Sequence, residues 1–215
     1  MSKPIYLLSP EKKEATLALP MIEFKTLADE IDLSLADILM FTSKQAVKTA
    51  ESVNPSWKKL PCLAIGTATA KQIETLGGRV IHQAESFYAE VLSQEIIRKF
   101  KEKKILYLRP KVVSFDSKTF LEKAGLHLEE KVIYETFCVA YKVKNTPVKD
   151  AILIFTSPST IRCFFKNFSW HDSYTAVVIG KSTKKHLPQY VVSKVADKPT
   201  IEACIAKAQS ISNSK

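Results

Sequence analysis

Short, unbroken apolar runs punctuate the chain. They fall at Ile5–Leu8, Ile38–Phe41, Cys62–Ile65, Ile105–Leu108, Ile152–Phe155, Ala176–Ile179 and Tyr190–Val192. None alternates apolar with polar, so each predicts a strand buried on both faces, the kind supplied by a parallel sheet covered with helices. Helical patterns follow several of them. Lys44–Val53 is one, and Thr67–Gly77 is another, with Gly77 placed to stop it. Ser86–Phe100 is a third, with a stripe of Tyr88, Val91, Leu92, Ile96 and Phe100. Strand, turn and helix in alternation predict an α/β fold with parallel sheets. Two segments break the rhythm. Met21–Leu27 and Lys131–Val143 are rich in β-formers and stand where an antiparallel pair would connect two domains.

The pattern also repeats. Asp37–Val47 (DILMFTSKQAV) returns as Ala151–Ile161 (AILIFTSPSTI), and Leu63–Ile73 (LAIGTATAKQI) as Val177–Leu187 (VVIGKSTKKHL). Both pairs hold one offset, 155 − 41 = 180 − 66 = 114 residues. Ile105–Lys111 (ILYLRPK) echoes Ile5–Glu11 (IYLLSPE), so the halves are expected to be circularly permuted copies. The expected organisation is a split α/β domain of residues 1–19 and 144–215, a continuous one of residues 28–131, and a connecting ladder of residues 20–27 and 132–143. Two such domains predict a cleft between them.

Composition narrows this picture. A 46% hydrophobic and 25% charged chain is ordinary for a globular protein. No apolar run approaches the ~20 residues that span a bilayer, and the apolar stretch near the start is too short for a signal peptide, so the default expectation is cytoplasmic. Cys62, Cys138, Cys163 and Cys204 are scattered and expected to be buried free thiols; with His82, His127, His171 and His186 equally dispersed, no metal motif is present. The formal net charge of +10 favours anionic partners, but the lysines are spread out and form no nucleic-acid signature.

The candidate chemistry lies in the repeated turns. Each places Ser or Thr where a strand ends and a helix begins: Thr42, Ser43, Thr67, Thr69, Thr156, Ser157, Ser159, Ser182 and Thr183. A hydroxyl there caps the helix, and the helix start also offers free N–H groups to a carboxylate or phosphate. Gly66 and Gly180 occupy one repeat position in a chain with only 5 glycines, where positive φ or close backbone approach is expected. There is no P-loop and no GxGxxG. Tyr134 on the connector either faces the cleft or packs on the ladder. Arg109 and Lys111 are either anion contacts or solvated charges. Lys181, Lys184, Lys185 and His186 crowd a helix start against its dipole, which solvent or a bound anion would offset.

Taken in order, LMFTSKQAV, AIGTATA, YLRPK, VIYET, IFTSPSTIRCF and VVIGKST resemble uroporphyrinogen-III synthase, over Ile5 to about Ala206. The resemblance implies two flavodoxin-like parallel-sheet domains joined by a two-stranded antiparallel β-ladder. It implies a linear tetrapyrrole substrate, hydroxymethylbilane, closed with inversion of ring D to uroporphyrinogen III in haem biosynthesis, with no cofactor and no metal. Tyr134 matches the tyrosine proposed to assist loss of the substrate hydroxyl. Thr69, and Ser182 with Thr183, match hydroxyls of the IG turns; Thr42, Ser43, Thr156, Ser157 and Ser159 match the FTS turns as substrate contacts. Position 67 is Thr while its repeat partner is Lys181, so neither is taken as a site. The expected partners are the substrate and, transiently, the preceding pathway enzyme, not nucleic acid or membrane. The rival expectation is a non-catalytic two-domain protein that clamps a small polyanion.

Overall fold

The computed structural model describes residues 2–34, 36–84 and 89–213. In chain order the strands are β1 (Ile5–Leu7), β2 (Leu17–Ala18), β3 (Ile22–Thr26), β4 (Ile38–Phe41), β5 (Pro61–Ile65), β6 (Arg79–Ala84), β7 (Ile105–Pro110), β8 (Leu128–Cys138), β9 (Ile152–Phe155), β10 (Thr175–Val178) and β11 (Ser193–Val195). The helices are α1 (Lys44–Val53), α2 (Thr67–Thr75), α3 (Ala89–Lys99), α4 (Ser117–Lys123), α5 (Pro158–Asn167), α6 (Lys181–Lys184) and α7 (Ile201–Asn213). The chain divides into two compact units, Met1–Glu23 with Thr136–Lys215, and Phe24–Glu135.

In the first unit the sheet runs β11-β10-β9-β1-β2, parallel throughout. In the second it runs β3-β8-β7-β4-β5-β6, with β8, β7, β4, β5 and β6 parallel to their neighbours in that series. At β3 the amide of Leu27 donates to the Ile133 carbonyl (2.9 Å), and the amide of Val139 donates to the Met21 carbonyl (3.0 Å).

The two sheets share one strand order once the permutation is undone. Number the first unit's strands along the chain, and its order is 2-1-3-4-5, a doubly wound arrangement. Begin the second unit at β7, then take β8, β4, β5 and β6, and the same order emerges. The registers agree residue for residue. Leu39 pairs with Cys62 and Leu153 with Ala176, both shifted by the repeat offset. Ile38 pairs with Ile105 as Ile152 pairs with Ile5. The repeat therefore reflects shared packing, not a coincidence of apolar runs.

Unbroken apolar strands let each sheet bury both faces. In the second unit Leu39 and Phe41 join Val47, Trp57 and Ile73 on the α1/α2 side, while Ile38 and Met40 join Leu92, Ile96, Tyr107 and Leu121 on the α3/α4 side. In the first unit Leu7, Ile154 and Val177 pack on Cys204 and Ala208 of α7. Each fully buried Leu, Ile or Phe contributes about 1.5–3 kcal/mol.

Several expectations are corrected. The last strand lies at Ser193–Val195, not Tyr190–Val192. Tyr190 and Val192 are 67% and 58% exposed, and only Val191 is buried, because the chain is still turning there, with the Val191 amide on the Pro188 carbonyl. The long β-rich segment is a strand over Leu128–Cys138, not Lys131–Val143: its first half pairs with β7, and beyond Cys138 it leaves the sheet for a 3-10 turn at Val143–Asn145. β6 had no apolar run to betray it, since it is an edge strand whose exposure alternates. The helix expected over Ser86–Phe100 is seen as Ala89–Lys99, and Tyr88 of its stripe lies outside the described residues.

The cysteines also differ from expectation. Cys62 and Cys204 are buried free thiols, but Cys138 and Cys163 form a disulfide. The end of β8 runs beside α5, where the Asn167 side-chain amide donates to the Val139 carbonyl (2.8 Å) and its carbonyl accepts from the Tyr141 amide (2.8 Å). That tertiary contact unites two cysteines whose spacing gives no sign of pairing.

Candidate active site

The carboxyl end of β4 gathers four hydroxyls, those of Thr42, Ser43, Tyr107 and Tyr134. Parallel β4, β5, β7 and β8 all end on this side of the sheet, where ligands of doubly wound folds bind. Phe41 anchors the strand in the core, and the chain then leaves the sheet at Thr42 and Ser43, both half-buried. Ser43 caps α1, its Oγ accepting from the Ala46 amide at 3.1 Å.

Two tyrosines converge on this turn from opposite faces of the sheet. Tyr134 of β8 lies in the α1/α2 core, edge-on to Phe24, and its hydroxyl is 2.9 Å from Ser43 Oγ. Tyr107 of β7 lies in the α3/α4 core, and its hydroxyl is 2.8 Å from Thr42 Oγ1. Burial raises the pKa of both phenols: Tyr134 above its ordinary value, and Tyr107 to about 12, despite the opposing effect of Thr42. Both are neutral hydrogen-bonding groups at physiological pH. The ring of Tyr134 packs in the core, as the second of its two expectations had it, and its hydroxyl reaches the β4 turn.

Arg109 and Lys111 are internally paired. Arg109 Nε lies 3.1 Å from Glu130, its Nη1 donates to the Pro110 and Lys111 carbonyls, and Lys111 Nζ lies 3.1 Å from Glu135. Each is committed to a carboxylate of β8.

At the neighbouring IG turn, Gly66 caps α2 at φ 73° and ψ 150°, a conformation that glycine alone adopts readily. Thr67 is exposed, with Gln83 Nε2 donating to its hydroxyl at 3.4 Å, whereas Thr69 is buried in the first turn of α2.

The first unit repeats these turns with less decoration. Thr156 is half-buried at the end of β9. Ser157 caps α5 in a full capping box with Thr160, and Ser159 is half-buried in the first helical turn. Gly180 is extended, with φ −173° and open space where a Cβ would stand, so the expectation of positive φ or close approach fails there. Ser182 is exposed and Thr183 buried, matching the exposure of Ala68 and the burial of Thr69 at the equivalent repeat positions, on a helix of only four residues. Lys181, Lys184, Lys185 and His186 are exposed.

The structure therefore brings Thr42, Ser43 and Tyr134 together at one turn, through two separate hydrogen bonds, Ser43 to Tyr134 and Thr42 to Tyr107, the last a residue the sequence did not single out. Its apolar surroundings in Ile105–Leu108 hid it. The signal available was the echo between ILYL and IYLL, which puts Tyr107 where the other copy has Leu7.

The fold and these turns place the chain among two-unit, doubly wound proteins whose helix starts line the carboxyl ends of parallel strands. A family model described as uroporphyrinogen-III synthase HemD matches residues 11–206. The crystal structure of uroporphyrinogen-III synthetase from Helicobacter pylori 26695 is similar at a TM-score of 0.80 and 28% identity, covering 97% of this chain and 99% of that one. A mutant uroporphyrinogen III synthase from the extremely thermophilic bacterium Thermus thermophilus shares the fold at a TM-score of 0.62 and 10% identity, with 98% of each chain covered. No curated protein sequence matches. The chain belongs to the uroporphyrinogen-III synthase family. It is a lyase that closes hydroxymethylbilane into uroporphyrinogen III with ring D inverted.

Proposed function

We propose that the β4 turn is where the chemistry of this cyclisation takes place, and that Tyr134 assists departure of the ring A hydroxyl. The carrying observation is the Ser43–Tyr134 hydrogen bond of 2.9 Å, made by a neutral phenol whose pKa burial raises above its ordinary value. Either oxygen of that bond can donate; with substrate bound, Ser43 Oγ, which accepts from the Ala46 amide, turns its own hydrogen to Tyr134 Oη. That leaves the phenol hydrogen for the leaving oxygen. Loss of water from ring A gives an azafulvene, which pyrrole nitrogen electrons stabilise. Ring D attacks through its substituted carbon, and the spiro intermediate rearranges. A weak acid suffices for the first step. The larger task is holding ring D so that the more distant carbon reacts first, which is catalysis by positioning.

The substrate's carboxylates are taken by the helix-start amides and hydroxyls of both units: Thr42 and Ser43, Thr69, Thr156, Ser157 and Ser159, and Ser182 and Thr183. Free N–H groups and the dipole at these starts suit carboxylates without a lysine at each. The exposure of Ser182 and the half-burial of Thr42, Ser43, Thr156 and Ser159 support this more strongly than the buried Thr69 and Thr183 do.

The two units are domains, residues 1–19 with 144–215 and residues 28–131, joined by residues 20–27 and 132–143. The compact units and the passage of both β3 and β8 across their boundary support the division. The bonds from Leu27 to Ile133 and from Val139 to Met21 run in opposite order along the two strands, which supports an antiparallel ladder. The bilane closes unaided to the uninverted isomer, so a brief contact with the enzyme that supplies it would limit that loss. A cytoplasmic location suits a tetrapyrrole enzyme, and no described helix is long and apolar enough to cross a membrane. The non-catalytic clamp is not favoured, because family membership brings the reaction with it.

Tyr134→Phe tests this assignment. The variant is expected to lower kcat by about ten-fold or more while KM changes little, since general acids contribute ~100-fold or more and a phenol is a weak one. An unchanged kcat would remove Tyr134 from the mechanism.

A further inference from the structure

The two copies of the FTS turn are not equivalent. β7 lies on β4 as β1 lies on β9, with Ile105 opposite Ile38 and Ile5 opposite Ile152. Tyr107 is therefore registered on Met40 as Leu7 is on Ile154. One copy has a phenol beneath its turn; the other has an aliphatic side chain at 0% exposure. A hydroxyl has been placed in the otherwise apolar run Ile105–Leu108, and its hydrogen bond goes to the Thr42 hydroxyl.

The direction of that bond matters. Tyr107 is 2% exposed, and a buried phenol must spend its O–H on an acceptor. Among the described residues its hydrogen-bond partner is Thr42 Oγ1 at 2.8 Å. Either oxygen could donate in that bond; with Tyr107 enclosed and Thr42 half-exposed, the arrangement that gives both hydroxyl hydrogens a partner has Tyr107 donating and Thr42 accepting. Thr42 is only half-buried, so in that arrangement its own hydrogen is free for a partner outside the turn. We propose that Tyr107 is a positioning residue that fixes Thr42 as an outward hydrogen-bond donor to a substrate carboxylate. Without Tyr107, Thr42 Oγ1 rotates freely and is as ready to accept as to donate, which does not favour an anion. This rests on the assignment of Thr42 as a substrate contact. It makes the β4 turn doubly determined: Ser43 is oriented toward Tyr134 for the leaving hydroxyl, and Thr42 is oriented by Tyr107 for binding.

The test is a cycle of Tyr107→Phe, Thr42→Val and the double variant, read as kcat, KM for hydroxymethylbilane and thermal midpoint. Tyr107→Phe is expected to raise KM about ten-fold, as a charge-assisted hydrogen bond is weakened, with kcat within about two-fold of the parent. Thr42→Val should raise KM similarly, and the double variant should be no worse than Thr42→Val alone. Thr42→Ser, which keeps the hydroxyl, should retain the parent KM when Tyr107 is present and lose it with Tyr107→Phe. A purely structural role for Tyr107 would lower the midpoint and give KM effects that multiply in the double variant, and that result overturns the inference. Parent KM in Tyr107→Phe alongside impaired Thr42→Val overturns the inference alone. Parent KM in Thr42→Val overturns the assignment of Thr42, and the inference with it.

Discussion

Gly66 and Gly180 stand at one repeat position, yet only one of them needs to be glycine. Gly66 has φ 73° and ψ 150°, where a Cβ is strained, whereas Gly180 is extended with no neighbour in the way. Gly66→Ala is expected to destabilise the protein by about 1–3 kcal/mol, and Gly180→Ala to leave stability nearly unchanged. Denaturant melts of the two variants check this, and equal losses would show that the backbone difference between the copies carries no energy. The same lesson holds for the side chains of the candidate site. The sequence marked Thr42, Ser43 and Tyr134, because helix-start hydroxyls and a family tyrosine are visible as letters. It could not show that Tyr134 meets Ser43, since 91 residues separate them and only the register of β8 on β7 and of β7 on β4 brings them together. Arg109 and Lys111 looked like open cations for a related reason: Glu130 and Glu135, which neutralise them, lie on the next strand.

At the scale of elements, fully buried strands were the most legible parts. Ile38–Phe41 and Ile152–Phe155 occupy their expected bounds because both faces are covered and every residue must be apolar. Edge elements were not legible. β2 is two exposed residues, β6 alternates, and β11 follows a turn whose exposed Tyr190 and Val192 mimic strand composition. The disulfide was invisible for a different reason. Cys138 and Cys163 are 25 residues apart and meet only because β8 ends against α5. A cross-link closing a loop of that size contributes about 3 kcal/mol through the unfolded chain. Reduction with a dithiol is expected to lower the thermal midpoint of the parent protein but not that of a Cys138→Ala, Cys163→Ala double variant. Identical melts of reduced and oxidised parent would show that the bond does not contribute.

For the whole molecule, the internal repeat was the deepest information in the sequence. It carried over to strand order and to register, since β4 on β5 and β9 on β10 pair at equivalent residues. What it could not carry is the divergence between copies. Leu7 against Tyr107, and a four-residue α6 against the longer α2, give one fold two different rims. The second unit holds the polar cluster with the phenols; the first has capped helix starts and exposed lysines. The net charge of +10 would speed encounter with a polycarboxylate. The central claim is that this chain redirects ring closure of the bilane. It is tested by incubating the purified protein with hydroxymethylbilane and resolving the product isomers after oxidation. The account predicts predominantly the type III isomer; type I alone, as forms without enzyme, would contradict it.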